Sequence, residues 1–139
     1  MTFEYQSKIY LGEVALYVAD LVRQRDFYQS VLGLELLEED DTQVALGRDG
    51  QVLVRLLATR DRQPVKSAYG LYHLALLLPS RQALADILKH LSENKVPMVG
   101  GADHGYSEAI YLEDPEGNGI ELYRDKPQAD WDIREDGRI

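Results

Sequence analysis

The sequence predicts an α+β fold in which two βαβββ modules pair their sheets around a shared cleft. The order of apolar and helical patterns in the first half of the chain recurs in the second half. In addition, E-V-A-L-Y-V at residues 13–18 parallels H-L-A-L-L-L at residues 73–78. Because each module leaves one face of its sheet uncovered, two modules can pair around a cleft.

Module one is predicted to span residues 9–58. An apolar strand at Val14–Val18 precedes Asp20, a residue type that caps helices, and the apolar spacing is helical as far as Leu32. Gly33 then has the position that commonly follows a helix. Three strands are predicted after it, separated by the turn-forming stretches D-D-T and R-D-G, at residues 34–38, 43–46 and 51–58.

Module two, at residues 71–127, repeats this order. A strand at residues 71–78 leads to a helix that begins at Pro79-Ser80. The apolar stripe of this helix has the spacing i, i+3, i+4, i+7 and consists of Leu84, Ile87, Leu88 and Leu91. Strands follow at residues 97–99, 108–112 and 119–123, with a loop at residues 100–106 and a D-P-E-G-N turn before the last strand.

We therefore predict a single domain at residues 1–128. Residues 59–70 form a polar linker between its modules. Residues 129–139 form a charged tail, which is either loose or the start of a connection to a second domain.

Composition narrows the classes of partner. The 139 residues include 24 acidic and 15 basic side chains, a formal net charge of −9, which argues against nucleic acid and anionic membranes as partners. The absence of cysteine excludes disulfides, thiolate nucleophiles and cysteine-type zinc sites. No signal peptide is visible at the N-terminus, so we expect a cytoplasmic protein.

The most informative segment is A-D-H-G-Y-S-E-A-I-Y-L-E-D-P-E-G-N-G-I-E-L-Y at residues 102–123. Glu121 alternates with Ile120 and Leu122 in an apolar strand, so its carboxylate faces the opposite side of the sheet from them. A charge buried there without a partner is costly, which indicates a metal, a cation or a wet cavity.

Two stretches resemble the vicinal oxygen chelate superfamily: F-Y-Q-S-V-L-G-L-E-L at residues 27–36 and Y-L-E-D-P-E-G-N-G-I-E-L-Y at residues 111–123. That superfamily includes glyoxalase I, bleomycin- and fosfomycin-resistance proteins and extradiol ring-cleavage dioxygenases. The chain most resembles the N-terminal half of two-domain proteins similar to catechol 2,3-dioxygenase. It departs from the extradiol signature at Ala102, and the matching positions are His104, Ile110, Tyr111, Asp114, Pro115, Gly117 and Glu121.

The resemblance implies roles for particular residues. His73 and Glu121 would be metal ligands, Glu13 would occupy a third ligand position, and His104 and Tyr111 would be the catalytic residues that line the pocket. The metal would be Fe(II) or Mn(II), and the substrate a catechol-like diol.

Arg55 makes this metal site ambiguous. It occupies the fourth ligand position if R-L at residues 55–56 is matched to E-L at residues 121–122, whereas another alignment places Val54 there. A guanidinium opposes a dication but pairs well with carboxylates. Arg55 in the cleft would then form a salt bridge, and the chain would bind no metal.

The sequence is compatible with three functions, and it leaves open whether the chain is an enzyme. The first is an extradiol dioxygenase-like domain that binds a divalent metal and a vicinal diol. The second is a non-catalytic, metal-free first domain of a two-domain dioxygenase, and the third is a glyoxalase-type isomerase. The partner would be a second copy of the chain or a C-terminal domain. An Arg55 guanidinium within hydrogen-bond distance of a carboxylate would favour the second function.

Overall fold

The computed structural model describes residues 11–59 and 70–137, and in both modules it confirms the βαβββ order. Module one consists of β1 (Val14–Val18), α1 (Leu21–Ser30), β2 (Glu35–Glu39), β3 (Gln43–Arg48) and β4 (Gln51–Ala58). Module two consists of β5 (Leu74–Leu77), α2 (Arg81–Glu93), β6 (Met98–Asp103), β7 (Ser107–Glu113) and β8 (Gly119–Asp125). A short 3₁₀ helix, Gln128–Asp130, follows β8.

Each module forms one four-stranded sheet with the same topology. The strand orders are β1-β4-β3-β2 and β5-β8-β7-β6, with the first and last strands of each module parallel. Arg55 pairs with Ala15 in the first sheet, and Glu121 pairs with Ala75 in the second. Arg55 and Glu121 are therefore equivalent positions, and the alternative alignment that used Val54 is wrong.

Side-chain caps fix where both helices begin. The Asp20 carboxylate accepts a hydrogen bond from the Arg23 amide at 3.0 Å, as predicted. The Ser80 hydroxyl accepts one from the Ala83 amide at 3.1 Å. Helix α1 ends at Ser30, two residues before the predicted end.

In the second module the largest differences from the predicted bounds are at β5 and β6. Strand β5 begins at Leu74 rather than residue 71. Strand β6 continues to Asp103, through most of the predicted loop at residues 100–106, because its backbone pairs with β7 from Met98 to Asp103. The two glycines in this stretch suggested a loop, but the cross-strand hydrogen bonds outweigh their low strand propensity.

The tail and the linker were predicted from composition alone. As far as Asp132 the tail is attached to the domain, because it carries the end of the 3₁₀ helix and the Asp132 amide donates to the Gly105 carbonyl at 3.1 Å. Most of the predicted linker, residues 60–69, lies outside the described residues.

The core is one cluster to which both modules contribute. Its fully buried members include Val18, Leu56, Tyr28, Leu91 and Leu122, which lie on the two helices and on the sheet faces packed against them. These residues leave the opposite face of each sheet available for a site. Within the described ranges, no helix has the length and apolar character needed to cross a membrane.

The turn between β7 and β8 joins the modules. The Glu116 carboxylate accepts hydrogen bonds from the Ala19 and Asp20 amides at 2.6–2.8 Å, at the start of α1. The buried Tyr28 hydroxyl donates to Asp114 at 3.2 Å. The D-P-E-G-N turn is therefore part of the contact between the modules as well as a reversal of the chain.

Candidate functional site

Strands β7 and β8 place two polar side chains on the open face of the second sheet. Glu121 lies between Ile120 and Leu122, which are both 1% exposed, so alternation directs its carboxylate away from the core. Tyr111 is directly opposite Glu121 in the antiparallel pair. His73, one residue before β5, reaches the same carboxylate from the other neighbouring strand.

A continuous series of hydrogen bonds connects four of the predicted site residues. His73 Nε2 lies 2.7 Å from Glu121 Oε2, and the Tyr111 hydroxyl donates to Glu121 Oε1 at 2.8 Å. His104 Nε2 lies 2.9 Å from the Tyr111 oxygen. Because the tyrosine proton goes to Glu121, that oxygen accepts from His104, which places the proton of His104 on Nε2.

These residues line a cavity of about 560 Å³ on module two. The size is typical of pockets that hold small molecules. Its lining residues within the described ranges all belong to module two: Tyr72, His73, Ala75, His104, Tyr106, Ser107, Tyr111, Glu121, Tyr123 and Asp125. The aromatic rings and the His–Tyr–Glu groups together suit a planar ligand with hydroxyl groups.

The pKa of Tyr111 is raised by its surroundings. Burial and then the hydrogen bond to Glu121 raise it to about 12, because the tyrosinate would lose solvation and lie beside a carboxylate. Tyr111 therefore keeps its proton at neutral pH and can act as a hydrogen-bond donor in the pocket.

The equivalent positions of module one hold an ion pair. Arg55 Nε donates to Glu13 Oε1 at 2.7 Å, and Arg55 Nη2 donates to Glu13 Oε2 at 3.1 Å. The same guanidinium donates through Nη1 to Glu38 at 3.2 Å and to Gln43 at 3.3 Å. The hydrogen bond from Arg55 lowers the pKa of Glu13, and the hydrogen bond to Glu13 raises the pKa of Arg55. Both oxygens of Glu13 are thus engaged by a cation.

The structure separates the predicted site residues into two groups. His73, His104, Tyr111 and Glu121 meet in one cavity, whereas Glu13 belongs to the Arg55 network on the other sheet. In the described part of the chain, no group of three histidine, aspartate, glutamate or cysteine residues could hold a metal ion.

Sequence reasoning missed three tyrosines of the pocket, one of which, Tyr123, lies two residues after Glu121. Tyr72 is 88% exposed and Tyr106 is 44% exposed, and both line the cavity. Each lies within two residues of a site histidine, His73 or His104, and that proximity was the available signal.

Comparison with known proteins identifies the family. A family profile described as "Glyoxalase/Bleomycin resistance protein/Dioxygenase superfamily" matches residues 10–122. The chain is 38% identical over 131 residues to a catechol-2,3-dioxygenase of Bacillus subtilis, a match covering 92% of this chain and 46% of that protein. The chain thus spans about half the length of this relative. A lactoylglutathione lyase of Neisseria meningitidis is 29% identical, over 83% of this chain and 90% of that protein.

Solved structures share the fold at lower identity. A glyoxalase/dioxygenase from Nostoc punctiforme superposes with a TM-score of 0.70 at 22% identity, covering 91% of this chain and 100% of that chain. A lactoylglutathione lyase from Agrobacterium tumefaciens has a TM-score of 0.68 at 21% identity, covering 86% and 96%. By the profile match and the shared fold, this chain belongs to the glyoxalase/bleomycin resistance protein/dioxygenase superfamily.

Proposed function

We propose that this chain is a ligand-binding domain of the extradiol dioxygenase type, which binds a catechol-like diol in module two and holds no metal of its own. The observation that carries the proposal is the pair of hydrogen bonds from Arg55 to Glu13. Arg55 occupies the position in module one that Glu121 has in module two, and Glu13 occupies that of His73. The relative named catechol-2,3-dioxygenase supports the diol as the ligand class.

The pocket offers a vicinal diol complementary partners. The Glu121 carboxylate accepts hydrogen bonds and so suits the two adjacent hydroxyl groups. The Tyr111 oxygen lies beside it, donates to Glu121 and accepts from His104, and its remaining lone pair can accept from a ligand hydroxyl group. The rings of Tyr72, Tyr106 and Tyr123 flank the space that the ligand ring would fill.

A divalent metal is the group that the superfamily resemblance suggests at His73 and Glu121. An imidazole nitrogen and a carboxylate suit Fe(II) or Mn(II), and these two groups lie 2.7 Å apart. A facial site of three protein ligands needs one further donor. The candidate for that donor, Glu13, is held by Arg55 and does not line the cavity. Among the residues that the structure describes, the donors of a single chain therefore do not fit a three-ligand metal site.

The proposal is tested by measuring metal and diol binding separately. After loading with Fe(II) or Mn(II) and removal of free metal, elemental analysis is expected to find under ~0.1 metal per chain. Calorimetric titration with catechol is expected to give the same affinity with and without a chelator. Glu121→Gln is expected to weaken this binding, whereas the exposed control Glu93→Gln is expected to leave it unchanged. One metal per chain, or binding that the chelator abolishes, would overturn the proposal.

A second candidate is a metal-dependent ring-cleavage dioxygenase. The close contact of His73 with Glu121 favours it, because both residues are suitable metal ligands. This function needs a further donor from outside the chain. A second copy brings the same Glu13–Arg55 pair, so a C-terminal partner domain with its own donors is the better source. Oxygen consumption with catechol by the Fe(II)-loaded chain alone would instead favour a second copy of the chain as the source of the further donor.

The third candidate is a glyoxalase-type isomerase, as the similarity to lactoylglutathione lyases suggests. Arg55 disfavours it, because a cation stands where that function needs another carboxylate. We expect no isomerisation of the hemithioacetal of methylglyoxal and glutathione in the presence of Ni(II) or Zn(II). Turnover in this assay would instead select the isomerase.

A further inference from the structure

The segment after β8 packs against the loop that carries His104. The Lys126 amide donates to the Tyr106 carbonyl at 2.7 Å, and the Asp132 amide donates to the Gly105 carbonyl at 3.1 Å. Between these two bonds lies the 3₁₀ helix Gln128–Asp130. The segment is thus tied to both residues that follow His104 in the chain.

An aromatic series runs from this segment into the pocket. The ring of Trp131 meets that of Tyr106 edge to face, with centroids 6.3 Å apart. Tyr106 in turn stacks on His104 at 6.2 Å with an interplanar angle of 29°. The indole of Trp131 is fixed at its other end, because its Nε1 donates to the Lys126 carbonyl at 3.0 Å.

An ion pair holds the other side of the same loop. Lys126 Nζ lies 2.6 Å from Asp103 Oδ1, and this oxygen also accepts a hydrogen bond from the Gly105 amide at 2.9 Å. Gly105 has a φ of +83°, so the chain turns tightly here without steric cost. The loop is therefore anchored through charge on one side and through Trp131 on the other.

We infer that Trp131 is a positioning residue for the ligand pocket, acting through Tyr106 to hold His104 against the Tyr111 hydroxyl. This inference rests on the proposed function, because it assigns a role to the rim of the same pocket. Neither Trp131 nor the segment around it lines the cavity, so its influence on a ligand must pass through Tyr106 and His104. Catechol, a small planar diol, is the probe that suits this rim.

The test compares Trp131→Ala and Trp131→Phe with Ile133→Ala, an exposed control in the same segment. Losing the aromatic contact is expected to weaken catechol binding by about 3- to 10-fold in Trp131→Ala, given the usual strength of such a pair. Trp131→Phe keeps a ring against Tyr106 and is expected to bind within about 2-fold of the unaltered chain. Circular dichroism checks that all three variants are folded.

A second readout does not depend on ligand. The His104 ring resonances, recorded by NMR at fixed pH, are expected to shift in Trp131→Ala and to return toward the original position in Trp131→Phe. Unchanged His104 resonances in Trp131→Ala would overturn the inference, as would equal losses of binding in Trp131→Ala and Ile133→Ala.

The two proposals fail in different ways. If the unaltered chain binds no catechol, the proposed function is wrong, while the His104 resonances still decide the role of Trp131. Trp131 is also the single tryptophan of the chain, so its fluorescence is expected to change when catechol binds to the unaltered protein. A saturable change supports the connection between segment and pocket, and calorimetric binding with no fluorescence change contradicts it.

Discussion

Arg55 and Glu121 occupy the same position in two copies of one fold and carry opposite charges. Each pairs with an alanine of the parallel first strand of its module, Ala15 or Ala75, and each points to the open face of its sheet. The partner one residue before that strand is Glu13 for Arg55 and His73 for Glu121. Module two therefore carries the candidate pocket, and module one carries a charge network around Arg55.

Removing the Arg55 guanidinium should lower the stability of the domain and leave the pocket of module two intact. In Arg55→Gln, the carboxylates of Glu13 and Glu38 lose the group that neutralises them, so we expect thermal unfolding a few degrees lower at pH 7. Arg48→Gln is a suitable control, because Arg48 is 67% exposed in its side chain and lies 3.5 Å from its partner Glu35. Catechol affinity should not change in either variant.

The pH dependence of that difference follows from Glu13. The pKa of Glu13 is lowered in the folded protein. The stability that Glu13 contributes is therefore present above its ordinary pKa of 4.5 and is lost as the pH falls through its pKa in the folded protein. Melting curves of Arg55→Gln and the unaltered chain should therefore converge under acid conditions. A difference that stays constant below pH 4.5 would contradict the assignment to Glu13.

Tyr111 should titrate with a pKa of about 12. The tyrosinate absorbance of the unaltered chain minus that of Tyr111→Phe isolates this group. Glu121→Gln should move the pKa toward the ordinary value of 10, because it removes the neighbouring negative charge. Since the folded-state value is raised, the stability that Tyr111 contributes is present below pH 10 and is lost as the pH rises through about 12. Titration of Tyr111 near 10 in the unaltered chain would refute this.

Gly119 should be required for the position of His73. A Cβ atom added there would lie 2.5 Å from the Tyr72 carbonyl oxygen and 3.2 Å from His73 Cβ. Gly119→Ala should therefore cost about 1–3 kcal/mol in urea unfolding and shift the His73 ring resonances. Gly100→Ala is the matched control, because a Cβ there meets nothing within 4 Å. Equal unfolding free energies and equal His73 resonances in the two variants would show that the close approach of Gly119 to residues 72 and 73 does not fix the position of His73.

Asp114 should contribute more to stability than other acidic turn residues. It is 4% exposed and accepts hydrogen bonds from Tyr28 Oη, the amides of Glu116 and Asn118, and the Asn118 side chain. Asp114→Ala leaves these donors without an acceptor and should cost about 2–4 kcal/mol, measured by urea unfolding. Tyr28→Phe should cost about 1 kcal/mol. A loss in Asp114→Ala no larger than that in the exposed control Asp41→Ala would disprove this role.

The repeat and the periodicity of the apolar residues were sufficient to predict the fold. The alternation of apolar and polar residues around Glu121 and the apolar stripe of α2 are local signals, because each depends only on residues close by in the sequence. The part of β6 after residue 99 was missed because Gly100 and Gly101 carry no such signal. Their strand geometry comes from pairing with β7, which the local sequence does not encode.

Four of the predicted site residues, His73, His104, Tyr111 and Glu121, belong to strands or loops of one module, and the sequence by itself predicted that they lie in that module. Only the tertiary structure decided the rest. It paired Glu13 with Arg55 across β1 and β4, and it brought Trp131 to Tyr106 from beyond the last strand. The physical reason is that ion pairs and aromatic contacts depend on distance in space, and residues 42 positions apart acquire a separation of 2.7 Å only through strand register.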